Sequence, residues 1–133
     1  MLLFDTNVWI QLIKGKSPAL TAKWCGTAAE DLVVCAIGKG ELWHGAHKYE
    51  NPEKRLAIVD YWLGHYESLP FDGAAARHYA DIRHQLESRR EVIGPNDLKV
   101  AAICLAHDLT LVTGNVGEFS RVPGLCVEDW SRV

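Results

Sequence analysis

No apolar run in this chain exceeds about seven residues, far short of the roughly 20 that a bilayer requires. The opening residues, MLLFDTNVWI, also lack the basic segment and apolar block of a secretory leader. The expectation is a protein with no membrane association that works in the cytoplasm. Cysteine is scarce and scattered: Cys25, Cys35, Cys104 and Cys126 form no CxxC pair, which argues against a disulfide framework or a cysteine zinc site. Two of the four sit in apolar runs and read as reduced, buried thiols. A basic excess is missing as well. Fourteen lysines and arginines stand against 17 aspartates and glutamates, giving a net charge of −3 and a pI near 6.0. A general basic surface for nucleic acid is thereby excluded, so an RNA or DNA substrate would need local basic residues or a metal to offset repulsion. Low-complexity tracts and long repeats are absent, which removes disorder and solenoids. What remains, at 133 residues and 48% hydrophobic content, is a single domain spanning 1–133 with a sizeable core.

Short apolar runs punctuate longer segments of helical character. The runs fall at 2–4, 32–36, 69–71, 109–113 and, more weakly, 125–127. Strand-like runs that are apolar on both faces and alternate with helices imply a parallel sheet covered on both sides. The predicted fold is α/β, a three-layer sandwich around a central parallel sheet of about five strands. Helices are expected at 8–13, from Pro18, and over 38–48, 52–66, 72–90 and 95–107. In the segment 72–90, Ala75, Tyr79, Ile82 and Leu86 form one apolar stripe, with Arg77, Arg83, His84, Arg89 and Arg90 on other faces as a solvated surface. Pro95 suits a first helical position, which places Asp97 in the first turn of an almost wholly apolar, central helix.

In an open parallel sheet, ligands collect outside the carboxyl ends of the strands. Asp5 ends the first strand, Glu41 falls in the first turn after the second, Asp97 opens the central helix, and Asn115 and Glu118 follow the fourth strand. Each acid taken singly has an ordinary explanation as a helix-start residue, worth about 0.3–1 kcal/mol against the macrodipole. Asp5 fits that explanation less well, because Thr6 and Asn7 are also available as caps. Several carboxylates on one rim repel each other and raise each other's pKa unless a cation compensates. Oxygen-rich ligation of this kind suits Mg²⁺, with Mn²⁺ as a substitute, and such an ion would make hydroxide from water and offset phosphorane charge. Hydrolysis of nucleic acid is the economical hypothesis.

The blocks FDTN at 4–7, GELWHGA at 40–46, IGPNDLKVAA at 93–102 and LVTGNVGEFSRVPGL at 111–125 resemble the signature blocks of PIN-domain ribonucleases and, more narrowly, of VapC toxins. The resemblance implies a Mg²⁺-dependent endoribonuclease in which Asp5, Glu41 and Asp97 hold the metal directly or through water. The family commonly places an Asp or Asn just after the fourth strand, and Asn115 takes that place here as a catalytic residue that can coordinate or hydrogen-bond but adds no charge, so that one metal ion or two is left open. Glu118 either supplies the missing charge as a further metal ligand or faces solvent. Asn7 and Thr113 match positions that support the acids, Asn7 having a helix cap as its alternative. The stretch CAIGKG departs from the serine- and threonine-rich text usual before the glutamate, which leaves hydroxyl support for Glu41 open. The resemblance also implies a cognate antitoxin whose tail wraps the toxin and blocks its acidic pocket, often with a basic side chain. Five tryptophans and four tyrosines exceed what the core easily hides, so an apolar groove for that partner and a homodimer face are expected.

Other chemistries fit less well. Glu41 and His44 form one Glu-x-x-His pair with His47 further on, whereas a helical di-iron site needs two such pairs. Asn7 stands where an aspartyl-phosphate enzyme would carry its second acid. Asp72 could imitate the acid of a phosphate-accepting receiver, but the paired acids and the lysine of such a module are missing. A PIN-like module that binds RNA or protein without cutting would lack a core acid, and Asp5, Glu41 and Asp97 are all present.

Overall fold

Three residues of extended chain, Leu2–Phe4 (β1), put Leu3 and Phe4 on opposite faces, and both are buried. The same two-sided burial recurs in Leu32–Cys35 (β2) and Thr110–Val112 (β4), where Val33 and Leu111 line one face and Val34 and Val112 the other. Glu67–Leu69 (β3) and Cys126–Glu128 (β5) complete the sheet and lie at its edges, where exposed residues are tolerated. A computed structural model describes residues 1–131. In it the strands run in the order β3-β2-β1-β4-β5, and every pairing is parallel.

That order dictates the layers. The chain moves outward from β1 to β2 to β3 through Thr6–Lys14 (α1), Pro18–Cys25 (α2), Ala36–Ala46 (α3) and Pro52–Leu63 (α4). It then returns to the other side of β1 through Gly73–Ser88 (α5) and Pro95–His107 (α6). Because parallel crossovers keep one hand, reversing direction puts the second set of helices on the opposite face. The cores agree. Leu3, Val33 and Leu111 pack with Ile82, Leu86 and Ile103 of α5 and α6, whereas Phe4, Val34 and Val112 pack with Trp9, Leu42, Val59 and Leu63 of α1, α3 and α4. The α5 stripe is as predicted, with Ala75, Ile82 and Leu86 buried and Tyr79 half-buried. α6 is the central helix, buried continuously from Val100 to Cys104.

Boundaries shift where local chemistry outweighs pattern. The third strand lies at Glu67–Leu69 rather than 69–71, because Pro70 cannot donate to the ladder and Asp72 already caps α5 through Ala75 N at 3.1 Å. The helix expected over 38–48 begins at Ala36, with the Cys35 sulfur accepting from Gly38 N, so Glu41 stands in its second turn and not its first. Cys35 and Cys104 are buried as expected, whereas Cys25 and Cys126 are exposed. Among the described residues no helix is long and apolar enough to cross a membrane.

Candidate active site

β1 lies between β2 and β4, and the chain reverses direction about it, so the carboxyl end of β1 is the topological switch point where open α/β sheets form their crevices. Asp5 is the first residue beyond that end. Its amide donates to Val112 O at 2.9 Å, extending the β1–β4 ladder by one residue and fixing where the side chain emerges. Although Thr6 and Asn7 are also available as caps, the cap of α1 is Asp5 itself: its Oδ1 accepts from Thr6 N at 2.8 Å. Oδ2 accepts from the Thr113 hydroxyl at 2.9 Å, and that hydroxyl accepts in turn from Asn115 N at 3.0 Å. Asp5 is only 8% exposed, so burial pushes its carboxyl above the ordinary aspartate value, against the lowering effect of the Thr113 and Thr6 donors. The charges of Glu41 and Glu118 push the same way.

Glu41 comes from α3, half-buried, and its Oε1 accepts from the Thr6 hydroxyl at 2.8 Å. Thr6 therefore serves both acids, with its amide on Asp5 and its hydroxyl on Glu41. Sequence reasoning missed this residue, although its place in FDTN directly after Asp5 was the available signal. Hydroxyl support for Glu41 thus comes from α1 rather than from the CAIGKG stretch.

Asp97 lies in the first turn of α6, as predicted, and its carboxyl is pushed up to about 6. Burial is the largest cause, followed by the charges of Asp5, Glu118 and Glu41, and by a hydrogen bond in which protonated Asp97 donates to Glu118. Glu118 sits in the first turn of Val116–Phe119 (α7) and does not simply face solvent. Its Oε1 accepts from Gly94 N at 3.2 Å and its Oε2 from the Asn115 side-chain amide. Gly94, the second residue missed, therefore holds Glu118 beside Asp97. Asn7 is exposed on α1, its side chain given to neither Asp5 nor the helix start. His44 and His47 are exposed on and just after α3.

Four acids from four separate segments thus act on one another at one edge of the sheet, and none is in an ion pair with a described residue. Among the described residues no three His, Cys, Asp or Glu side chains form a group already set to hold a metal ion. The charges repel one another, and protonated Asp97 donates to Glu118. The donor set is all oxygen and anionic, which fits a hard divalent ion that keeps several of its waters. A cavity of about 570 Å³ adjoins Asp5, lined among others by Asn7, Gln11, Lys14, Lys16 and Asn115.

Thr113 carries the clearest structural prediction. It is 1% exposed, and in Thr113→Val both Asp5 Oδ2 and Asn115 N lose their partner. Leaving a buried carboxylate oxygen without a donor costs about 1–3 kcal/mol. Urea denaturation should show that loss, and an unchanged midpoint would show that water replaces the hydroxyl.

Known proteins resemble this chain over nearly its whole length. The PIN domain family model matches residues 2–125. The tRNA(fMet)-specific endonuclease VapC of Shigella flexneri is 35% identical over 129 residues, 97% of each chain. Ribonuclease VapC2 of Haemophilus influenzae is 32% identical over 128 residues, 96% of each chain. Among solved structures, DNA-bound VapBC from Salmonella typhimurium superposes with a TM-score of 0.90 at 33% identity, covering 97% of each chain. VapBC2 from Rickettsia felis bound to a promoter DNA fragment gives a TM-score of 0.90 at 28% identity, covering 97% of this chain and 98% of that one. The family match over nearly the whole length, the shared five-stranded fold and the full-length identities place this chain in the PIN-domain family, within its VapC branch.

Proposed function

We propose that the chain is a metal-dependent endoribonuclease and the toxin of a toxin–antitoxin pair. The observation that carries this reading is the set of like-charged carboxylates, Asp5, Glu41, Asp97 and Glu118, coupled at the switch point and in no ion pair with a described residue. Asp5, Glu41 and Asp97 would hold a Mg²⁺ ion, or Mn²⁺ in its place, directly or through water, with Glu118 as the fourth acid. When bound, the ion supplies a more acidic water and positive charge against the transition state of phosphodiester hydrolysis.

The residues around the acids do the positioning. Thr113 and the Thr6 amide lock the Asp5 carboxylate in one orientation, and the Thr6 hydroxyl does the same for Glu41. Asn115 and Gly94 N hold Glu118 next to Asp97, which gives Asn115 a supporting role in place of the charge it lacks. Asn7, exposed and lining the cavity beside Asp5, is placed to meet substrate rather than to order the acids. The VapC names of the relatives and the VapBC complexes among the structural neighbours support an RNA substrate and a cognate antitoxin, and a second copy of this chain is proposed as a further partner. Tyr61, 72% exposed, and the half-buried pair Trp24 and Trp62, with ring centroids 5.2 Å apart, offer apolar surface for such partners.

The test is cleavage of structured RNAs, initiator tRNA among them because the Shigella flexneri relative is named for it. Cutting in Mg²⁺ or Mn²⁺ that stops in EDTA is the expected result. Cutting that persists in EDTA, or no cutting of any RNA, would contradict the proposal.

A further inference from the structure

A second cavity, of about 220 Å³, opens between α1, α3 and α4. Buried Leu42 and Val59 lie at its base, and Glu41 lines it on the side of the acidic site. The rest of its polar lining is cationic: Lys14, Lys48 and Arg55 converge there around Tyr49. Ile10 and Lys14 also line the larger cavity beside Asp5, so the two hollows adjoin across α1.

Tyr49 organises the cations. The Arg55 guanidinium carbon lies 4.3 Å from the centroid of its ring, and the Lys14 ammonium 5.3 Å. A donor hydrogen bond from Lys14, with the charges of Arg55, Lys14 and Lys16 nearby, holds the phenol below its ordinary pKa. Lys14 in the last turn of α1 is accounted for by the helix macrodipole, but Arg55 near the start of α4 stands at the end where a cation is disfavoured. Neither Lys14, Lys48 nor Arg55 is in an ion pair with a described carboxylate. Three cations against the single Glu41 carboxylate, in a chain of net charge −3, is the arrangement that a bound anion compensates.

Resting on the ribonuclease reading, we infer that this cavity is a backbone-phosphate subsite, through which the RNA strand leaves the acidic site across α1. Lys14 and Arg55 contact a phosphate displaced from the scissile one, and the Tyr49 hydroxyl donates to the same group. An acidic nuclease gains in this way a local hold on RNA that the four carboxylates themselves oppose.

The experiment measures binding of a short fluorescein-labelled single-stranded RNA by anisotropy, in EDTA, over a series of KCl concentrations. Lys14→Ala and Arg55→Ala are each expected to flatten the plot of log affinity against log salt by about 0.7, one phosphate contact on a single strand. Arg55→Lys keeps most of the slope, Tyr49→Phe weakens binding with the slope unchanged, and thermal melts identify any variant that fails to fold. In cleavage assays the alanine variants raise KM and leave kcat near the wild-type value. Slopes equal to wild type, or no measurable binding by wild type, overturn the inference, as does unchanged RNA binding in variants that lose capture of the cognate antitoxin. A wild-type protein that cuts no RNA would refute the ribonuclease reading, and the slopes would still decide the cavity.

Discussion

Asp5→Asn is expected to lower RNA cleavage by about three orders of magnitude, roughly 4 kcal/mol of lost transition-state stabilisation. The protein should fold as before. Asparagine fills the same volume, its oxygen can accept from Thr6 N, and its amide can donate to the Thr113 hydroxyl that the carboxylate accepts from. Removing the charge also relieves a buried carboxyl that repels Glu41 and Glu118, so thermal stability without metal should hold steady or rise. Loss of activity with gain of stability is the signature of a site kept under electrostatic stress for its chemistry. If Asp5 only capped α1, the same substitution would leave cleavage intact.

The second large effect is a loss of stability with rising pH that added metal cancels. In the metal-free protein the Asp97 carboxyl titrates near 6, against an ordinary value of 3.8. The folded state therefore binds this proton more tightly than the unfolded chain does. Its stabilising contribution is complete below the ordinary value and disappears as pH rises through about 6. In EDTA the melting temperature should fall between about pH 5 and about pH 7, relative to Asp97→Asn, by an amount moderated by partial exposure of the group. Mg²⁺ competes with that proton, so the stabilisation it gives should be larger at the higher pH. Melting curves of both proteins at the two pH values, with and without Mg²⁺, check this. A difference between them that does not vary with pH would place Asp97 outside the coupled cluster.

Much of this site is legible in the sequence itself. Apolar runs such as LVVC, buried on both faces, could only be interior strands, and the rule that ligands gather at strand carboxyl ends then put Asp5, Asp97 and Glu118 on one rim. What escaped was the wiring among them. Thr6 joins Asp5 to Glu41 across 35 residues of chain, and Gly94 reaches Glu118 across 24. No periodicity encodes such contacts, because they depend on how α1, α3 and α6 pack. Helix starts were blurred for a similar reason. Cys35 is a weak cap that pattern reading passes over, and it moved Glu41 one turn deeper into α3 than expected. The cluster around Tyr49 was equally hidden, since Lys14 and Arg55 lie on different helices and meet only through the turn after α3.

A nuclease site of this kind works only if the carboxylates share one divalent ion. Calorimetric titration of Mn²⁺ into wild type, Asp5→Asn and Asp97→Asn tests that most directly. Uptake by wild type that is lost on neutralising either residue is the predicted result; undiminished uptake by either variant, or none by wild type, would contradict it.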